Sequence, residues 1–421
     1  MSQLTVKLRL SPALLKRLAE AIINPVADMT KCISCKQDIK TVGLLVANQP
    51  PSNRFQSNAK SDTLLHDLKL VQCEGCALIQ LLDPMHIGEV KSHFEWIKYN
   101  EPERHLDEVV NVCAGLEGLS QDSDVIGLTY KDETTLNRLS SIGWKNGHLV
   151  NIANDFNLND PLLGLETYQE IYSEQKETKA LSKKYGKMDL LIVRHLLEHA
   201  HAPRELLLSI SNLVREGGYF VFEVPDNLKM LDNKHYYYLW EEHISYFTKV
   251  TLRRFLENFG LEVVYSKVFS YAAEDSIVVI ARKLDRSLLS TSLELLPKSD
   301  DLEKFNNFCY SFSEERQRLR EMLNLWRLDG KRVALFGAGH LCAKFINFYQ
   351  LKELVDCVID DHPNKQGLFM PFSGVPIRSS ATLNAVDICL LTLNPESEEK
   401  VRGNHVDFLS SGGQFLSIFE L

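Results

Sequence analysis

From about residue 122 onward the chain alternates short continuous apolar runs with longer amphipathic ones. "DSDVIGLTY" (Asp122–Tyr130), "MDLLIVRHL" and "YFVFEVP" are apolar stretches of strand length, the pattern of strands covered on both faces. "APRELLLSISNLVREGG" puts its leucines and isoleucines on one face and predicts a helix running to the two glycines. "HLVNIANDF" predicts another strand. "VTLRRFLENFGLEVVYSKVF" gives helix, glycine stop and strand, and "DSIVVIARK" closes a hairpin. This order predicts a doubly wound α/β sheet with an antiparallel edge. Residues 286–328 are rich in Leu, Ser, Glu and Arg, and "DLEKFNNFCYSFSEERQRLREMLNLWRLDG" predicts a long connecting helix. A second α/β unit follows in "KRVALFGAGHLCAKFINFYQL" and "VDCVIDDHPNKQG", with "DICLLTL" and "GQFLSIF" as further buried strands. The opening "MSQLTVKLRLSPALLKRLAEAIINPV" predicts a short strand and an amphipathic helix.

The predicted organisation is an N-terminal extension (1–27), a small cysteine-bearing module (28–95), a central α/β domain (96–285), the linking helix (286–328) and a C-terminal Rossmann-like domain (329–421). A length of 421 residues agrees with more than one core. The net charge of -9 argues against a general nucleic-acid binder, while leaving room for a nucleotide ligand in a local site. No apolar run reaches the roughly 18 residues of a membrane span, and the N-terminus lacks the continuous apolar core of a signal peptide, so the expected compartment is the cytoplasm.

Four of the nine cysteines form two knuckles, "CISC" (Cys32, Cys35) and "CEGC" (Cys73, Cys76). Two Cys-x-x-Cys pairs bring four thiolates within reach of one tetrahedral cation, which predicts structural zinc. The gap from Lys36 to Gln72 must then fold as its own insert. The other cysteines are scattered singly and read as small core residues.

Two polar clusters follow consecutive predicted strands. One holds His195, Glu198, His199 and His201; the other runs from Pro225 to His243 and sets Glu241, Glu242 and His243 behind Tyr236, Tyr237, Tyr238 and Trp240. Strand carboxyl ends are where doubly wound sheets place ligands, and a histidine beside a glutamate suits proton transfer near neutral pH.

On these residues the chain shows a family resemblance. "DLLIVRHLLEHAHAPRELLLSISNLVREGGYFVFEVPDN" resembles the second half of a class I S-adenosylmethionine (SAM) methyltransferase. "EVP…LWEEHISYFTKVTLRRFLENFGLEVV" resembles, more narrowly, the sugar C-methyltransferases acting on nucleotide-linked deoxysugars, which also carry a four-cysteine zinc module and a C-terminal Rossmann-like domain. The resemblance implies His243 as the base that removes a proton beside the sugar's keto carbon, preceded by Glu242. Trp240 and Glu241 stand at substrate-side positions where the family has tyrosine and histidine. His199 matches a strand-end histidine, His195 replaces an asparagine, and Tyr99 is the candidate for a tyrosine that completes the site.

The SAM turn departs from the family pattern. Gly127 and Thr129 stand in the stretch after the first strand, but Tyr130 and Lys131 replace small residues, and Asn154 or Asp155 stands where a ribose-binding acid is sought. In the C-terminal unit, Gly337, Gly339 and His340 form a glycine turn and Asp360 sits at the next strand end. The resemblance implies that this unit helps enclose a sugar nucleotide. Two alternatives stay open on the sequence: a homologue that binds a sugar nucleotide or protein partner without methylating, and an NAD(P)-dependent enzyme using the C-terminal turn.

Overall fold

A computed structural model describes residues 25–60, 63–97, 101–284 and 301–421. The strand and helix expected over the first 24 residues, Tyr99, and the segment 285–300 lie outside the described residues.

The cysteine-bearing module is built of β1 (Pro25–Lys31), β2 (Asp38–Thr41), β3 (Leu44–Gln49), β4 (His66–Gln72) and β5 (Ile79–Leu82). The central region supplies β6 (Asp124–Gly127), β7 (Asn146–Leu149), β8 (Met188–Arg194), β9 (Val214–Asp226), β10 (Ser245–Tyr246), β11 (Leu261–Phe269) and β12 (Asp275–Lys283). Its six-stranded sheet has the order β11-β12-β9-β8-β6-β7. β7, β6, β8 and β9 run parallel, while β12 enters antiparallel beside β9 and pairs β11. After helix Asp301–Leu328 come β13 (Val333–Phe336), β14 (Cys357–Ile359), β15 (Ile377–Arg378), β16 (Ile388–Leu391) and β17 (Gln414–Ser417). They form an all-parallel sheet of order β15-β14-β13-β16-β17, with its topological switch at β13. The molecule is thus α/β: two doubly wound sheets and a small N-terminal module.

Two elements differ from the expectation. The helix that starts at Pro203 ends at Ile210, and the chain is already paired as β9 at Val214, opposite Met188. Gly217 takes φ +75°, and a Cβ at Gly218 would lie 3.1 Å from the Asp189 carbonyl oxygen, so this glycine pair serves a strand bulge, not a helix stop. The strand predicted over "HLVNIANDF" stops at Leu149, because the Asn151 side chain accepts the Asn154 amide and caps a short helix, Ile152–Phe156.

The parts share cores. Leu44, Val46 and Leu70 of the module pack in one apolar cluster with Tyr236, Tyr237, Phe308 and Phe345. β10, only two residues long, joins the module's sheet by pairing with β5, Ser245 opposite Gln80 and Tyr246 opposite Ile79. The segment just after His243 is therefore a strand of the cysteine-bearing module's sheet. Among the described residues no helix is long and apolar enough to cross a membrane.

Candidate active site

A cavity of about 520 Å³ opens where the three parts meet. The module contributes Ser52, Asn53 and Phe55, the central region Trp96, Lys131, His195, His199 and His243, and the C-terminal domain Gly339, His340 and Lys365. The carboxyl ends of β6, β8 and β9 all face it, as the parallel topology requires.

His243 is fixed from both sides. Its amide donates to the Trp240 carbonyl at 3.0 Å, and the Tyr246 hydroxyl staples the same turn through Trp240 N (3.0 Å) and Trp240 O (2.9 Å). The next residue, Ile244, donates to the Glu198 carbonyl at 2.7 Å and accepts from the Leu81 amide at 2.9 Å. These bonds contribute about 1 kcal/mol each and set the imidazole against its partner. His243 and His199 meet edge to face, 4.8 Å between ring centroids. One ligand-type atom from each of Glu198, His199 and His243 lies within 4.8 Å of the others.

Burial decides the charge states. It drives His243 well below the usual imidazole value, and the charge on His195 lowers it further. It takes His199 down to about 3 and His340 to about 4. These rings are neutral near pH 7. His195 is the opposite case: burial lowers it, but Glu101 and Glu223, with hydrogen bonds to Glu198 and Glu223, outweigh that and raise it to about 10. Burial and then Glu241 push the Glu242 carboxyl well above the carboxylate range. The site thus sets neutral histidines beside a charged one.

The framework under these groups is a buried polar network. Arg194, at the end of β8, donates from Nε to Glu223 at 2.5 Å and from its amide to Asp132 at 2.9 Å. Glu223, in the "EVP" of β9, also meets His105 Nε2 at 2.9 Å, His195 Nε2 at 3.3 Å and the Ser276 hydroxyl at 2.8 Å. Burial alone would raise Glu223; Arg194 and the histidines hold it well below the usual range. His195 adopts φ +49°, a left-handed backbone uncommon for a residue with a Cβ, and the 2.9 Å bond from its amide to the Glu223 carbonyl holds it there.

The aromatic run divides in two. Tyr236 and Tyr237 pack the seam between parts, their hydroxyls donating to the carbonyls of Phe308 (2.6 Å) and Ile418 (3.2 Å). Tyr238 and Trp240 line the cavity, and Trp240 stacks on His340 with 4.7 Å between centroids.

Of the residues singled out in the sequence, His195, His199, Trp240, Glu242, His243, Gly339 and His340 line the cavity. Gly127, Thr129, Asn154, Asp155, Glu241, Gly337 and Asp360 are not among its lining residues. Asp155 accepts from Asn151 N at 2.9 Å and pairs with Lys184, while Asp360 accepts from Ala338 N at 2.9 Å and from Lys365 at 2.8 Å. Glu241 is wholly buried and pairs with Lys344 at 2.5 Å. Gly337, at φ +101°, is needed because a Cβ there would strike Leu393. Glu101, Asn53 and Glu274 also line the cavity, and no motif in the sequence pointed to them. Burial raises Glu274 to about 8.

In the N-terminal module, Cys32 Sγ lies 3.6 Å from Cys76 Sγ and Cys35 Sγ 3.4 Å from Cys73 Sγ, with all four sulfurs within 4.8 Å of one another. The knuckles are equivalent: Lys36 N donates to Cys32 O and Ala77 N to Cys73 O, and both donors take φ +64°.

The fold and the three-part cleft define a class I methyltransferase-type enzyme with an appended Rossmann-like domain. Residues 79–266 match the family model of a methyltransferase domain, and residues 288–419 match the C-methyltransferase C-terminal domain. The chain thus carries a methyltransferase domain followed by a C-methyltransferase C-terminal domain. It is 24% identical over 383 residues to the C-methyltransferase NovU of Streptomyces niveus, covering 86% of this chain and 88% of that protein. Among solved structures, 1,6-didemethyltoxoflavin-N1-methyltransferase of Burkholderia thailandensis is 15% identical, covering 43% of this chain and 78% of its own, with TM-score 0.29. Magnesium protoporphyrin IX methyltransferase of Synechocystis PCC 6803 is 13% identical over 45% of this chain and 90% of its own, with TM-score 0.30.

Proposed function

We propose that the enzyme methylates a carbon beside the carbonyl of a nucleotide-linked keto-deoxysugar, with His243 as the base. The observation that carries this reading is the neutral His243–His199 pair, 4.8 Å apart and opening into one cavity shared by three parts of the chain.

The cavity reaches the ends of β6, β8 and β9, where this topology takes its ligand, so the residues fit SAM at that edge. When bound, SAM supplies an electrophilic methyl group. The chain's own part is proton handling and charge placement. His243, held neutral, takes the proton from the carbon next to the carbonyl. Negative charge growing on the carbonyl oxygen needs donors, and three candidates are His199, whose buried Nδ1 has no hydrogen-bond partner among the described residues, the charged His195, and Tyr99. Glu242, neutral through burial, serves as a hydrogen-bond donor beside the base. Tyr238, Trp240 and Trp96, with Phe55 from the module, keep out water that would reprotonate the enolate. On the substrate side, Gly339 and His340 at the start of helix His340–Phe348 offer the nucleotide a wall of the cavity, while Gly337 and Asp360 shape the turn behind them.

The four clustered thiols are proposed to hold a structural zinc ion that keeps the module, and with it Ser52 and Asn53, in place. The test of the function is a panel of nucleotide-linked 4-keto deoxysugars incubated with SAM carrying a carbon-13 methyl group. The expected product carries the label on carbon, seen as a carbon–carbon coupling by NMR. Label on oxygen or nitrogen would overturn the reading.

A further inference from the structure

The turn after β6 is closed by its own side chain. The Asp132 carboxylate accepts the amides of Leu128 and Thr129, both at 2.8 Å, and that of Arg194 at 2.9 Å. Gly127 is what admits it, since a Cβ there would lie 2.7 Å from Asp132 Cβ. The amides that a glycine-rich turn would offer to an anionic ligand are thus already taken, and a buried negative charge stands behind them. A ligand carboxylate reaching this turn must find its positive partner elsewhere.

The partner stands one residue earlier. Lys131 and Glu101 both line the cavity and form an ion pair across it, Lys131 buried and Glu101 half-buried. The two come from different segments, one from the β6 turn and one from the stretch that follows the module. Arg194 fixes the Lys131 main chain by donating to its carbonyl, so the lysine presents its ammonium from an anchored backbone. Tyr130 lines the same cavity, with Tyr168 edge to face on it at 6.2 Å.

Resting on the methyltransferase reading above, we propose that Lys131 and Glu101 are the subsite for the amino-acid end of SAM. The donor's carboxylate pairs with the Lys131 ammonium, and its own ammonium pairs with the Glu101 carboxylate. The ligand end is a zwitterion and so is the subsite. The internal ion pair opens and two pairs replace it, so no unpaired charge is buried in either state. This also explains why bulky residues occupy a turn that is usually glycine-rich: the side chains take over what the backbone amides would do.

The experiment is titration calorimetry of the full chain with S-adenosylhomocysteine and with 5′-methylthioadenosine, which lacks the amino-acid end. The expected result is that the wild type binds the first at least about tenfold more tightly. Lys131→Met and Glu101→Gln each remove most of that difference and leave 5′-methylthioadenosine affinity within about twofold. Lys131→Arg, which keeps the charge, retains the preference and guards against a folding artefact. Equal wild-type affinity for the two nucleosides overturns the subsite alone, as does a Lys131→Met variant that keeps the preference or loses only sugar-nucleotide binding. Binding of neither nucleoside by the wild type overturns the methyltransferase reading with it.

Discussion

The Glu241 carboxylate lies 2.5 Å from the Lys344 ammonium, with both side chains essentially removed from solvent. Glu241 also accepts the Ser52 amide at 2.5 Å and the Ser52 hydroxyl at 3.1 Å. One carboxylate therefore ties the cysteine-bearing module, the central region and the helix behind the C-terminal glycine turn. It sits next in sequence to cavity-lining Trp240 and Glu242 without lining the cavity itself.

Removing one side of a buried pair strands the other charge. Glu241→Gln or Lys344→Met should each destabilise the folded chain by about 3–5 kcal/mol. The double variant should cost clearly less than the two together. Thermal and urea unfolding check this. Additive losses would show that the two groups do not act as a pair.

Cys73→Ser should lower the melting temperature and release one zinc ion per chain, as read by native mass spectrometry. Because β10 pairs with β5, loosening the module also frees the strand that follows His243, so ligand affinity should fall with metal content. A fully metallated, equally stable Cys73→Ser protein would contradict the zinc assignment.

The alternation of apolar runs made the two doubly wound sheets legible, because strands buried on both faces write themselves as continuous Val, Ile and Leu. The histidines at strand ends were legible too, and the structure places His199, His243 and His340 in one cavity. What stayed hidden is tertiary. Lys131 and Glu101 meet only through folding, and Glu274 comes from a hairpin between β11 and β12 that carries no motif. Asp155 and Asp360 stood at plausible ribose positions, yet each carboxylate is bound to a neighbouring amide and a lysine. The sequence shows an acid at a strand end; it does not show which way the carboxylate is committed.

The pH dependence follows from the opposed histidines. His243 is depressed in the folded state, so between its folded value and about 6.5 the unfolded chain binds the extra proton, and stability falls as pH drops below about 6.5. His195 is raised, so its contribution is complete below about 6.5 and is lost as pH rises through about 10. Melting temperature measured from pH 5 to 10 should therefore peak near pH 6.5 and fall on both sides. His243→Gln should soften the acid limb, and a limb unchanged by that substitution would remove His243 from its origin.

The proposed role of His243 is tested most directly by solvent exchange. A nucleotide-linked ketosugar substrate is held with the enzyme in heavy water without SAM, and deuterium uptake beside the carbonyl is followed by NMR. The wild type should incorporate deuterium at that carbon, and a folded His243→Ala variant should lose at least about a hundredfold in rate. Exchange at the wild-type rate in His243→Ala would contradict the account.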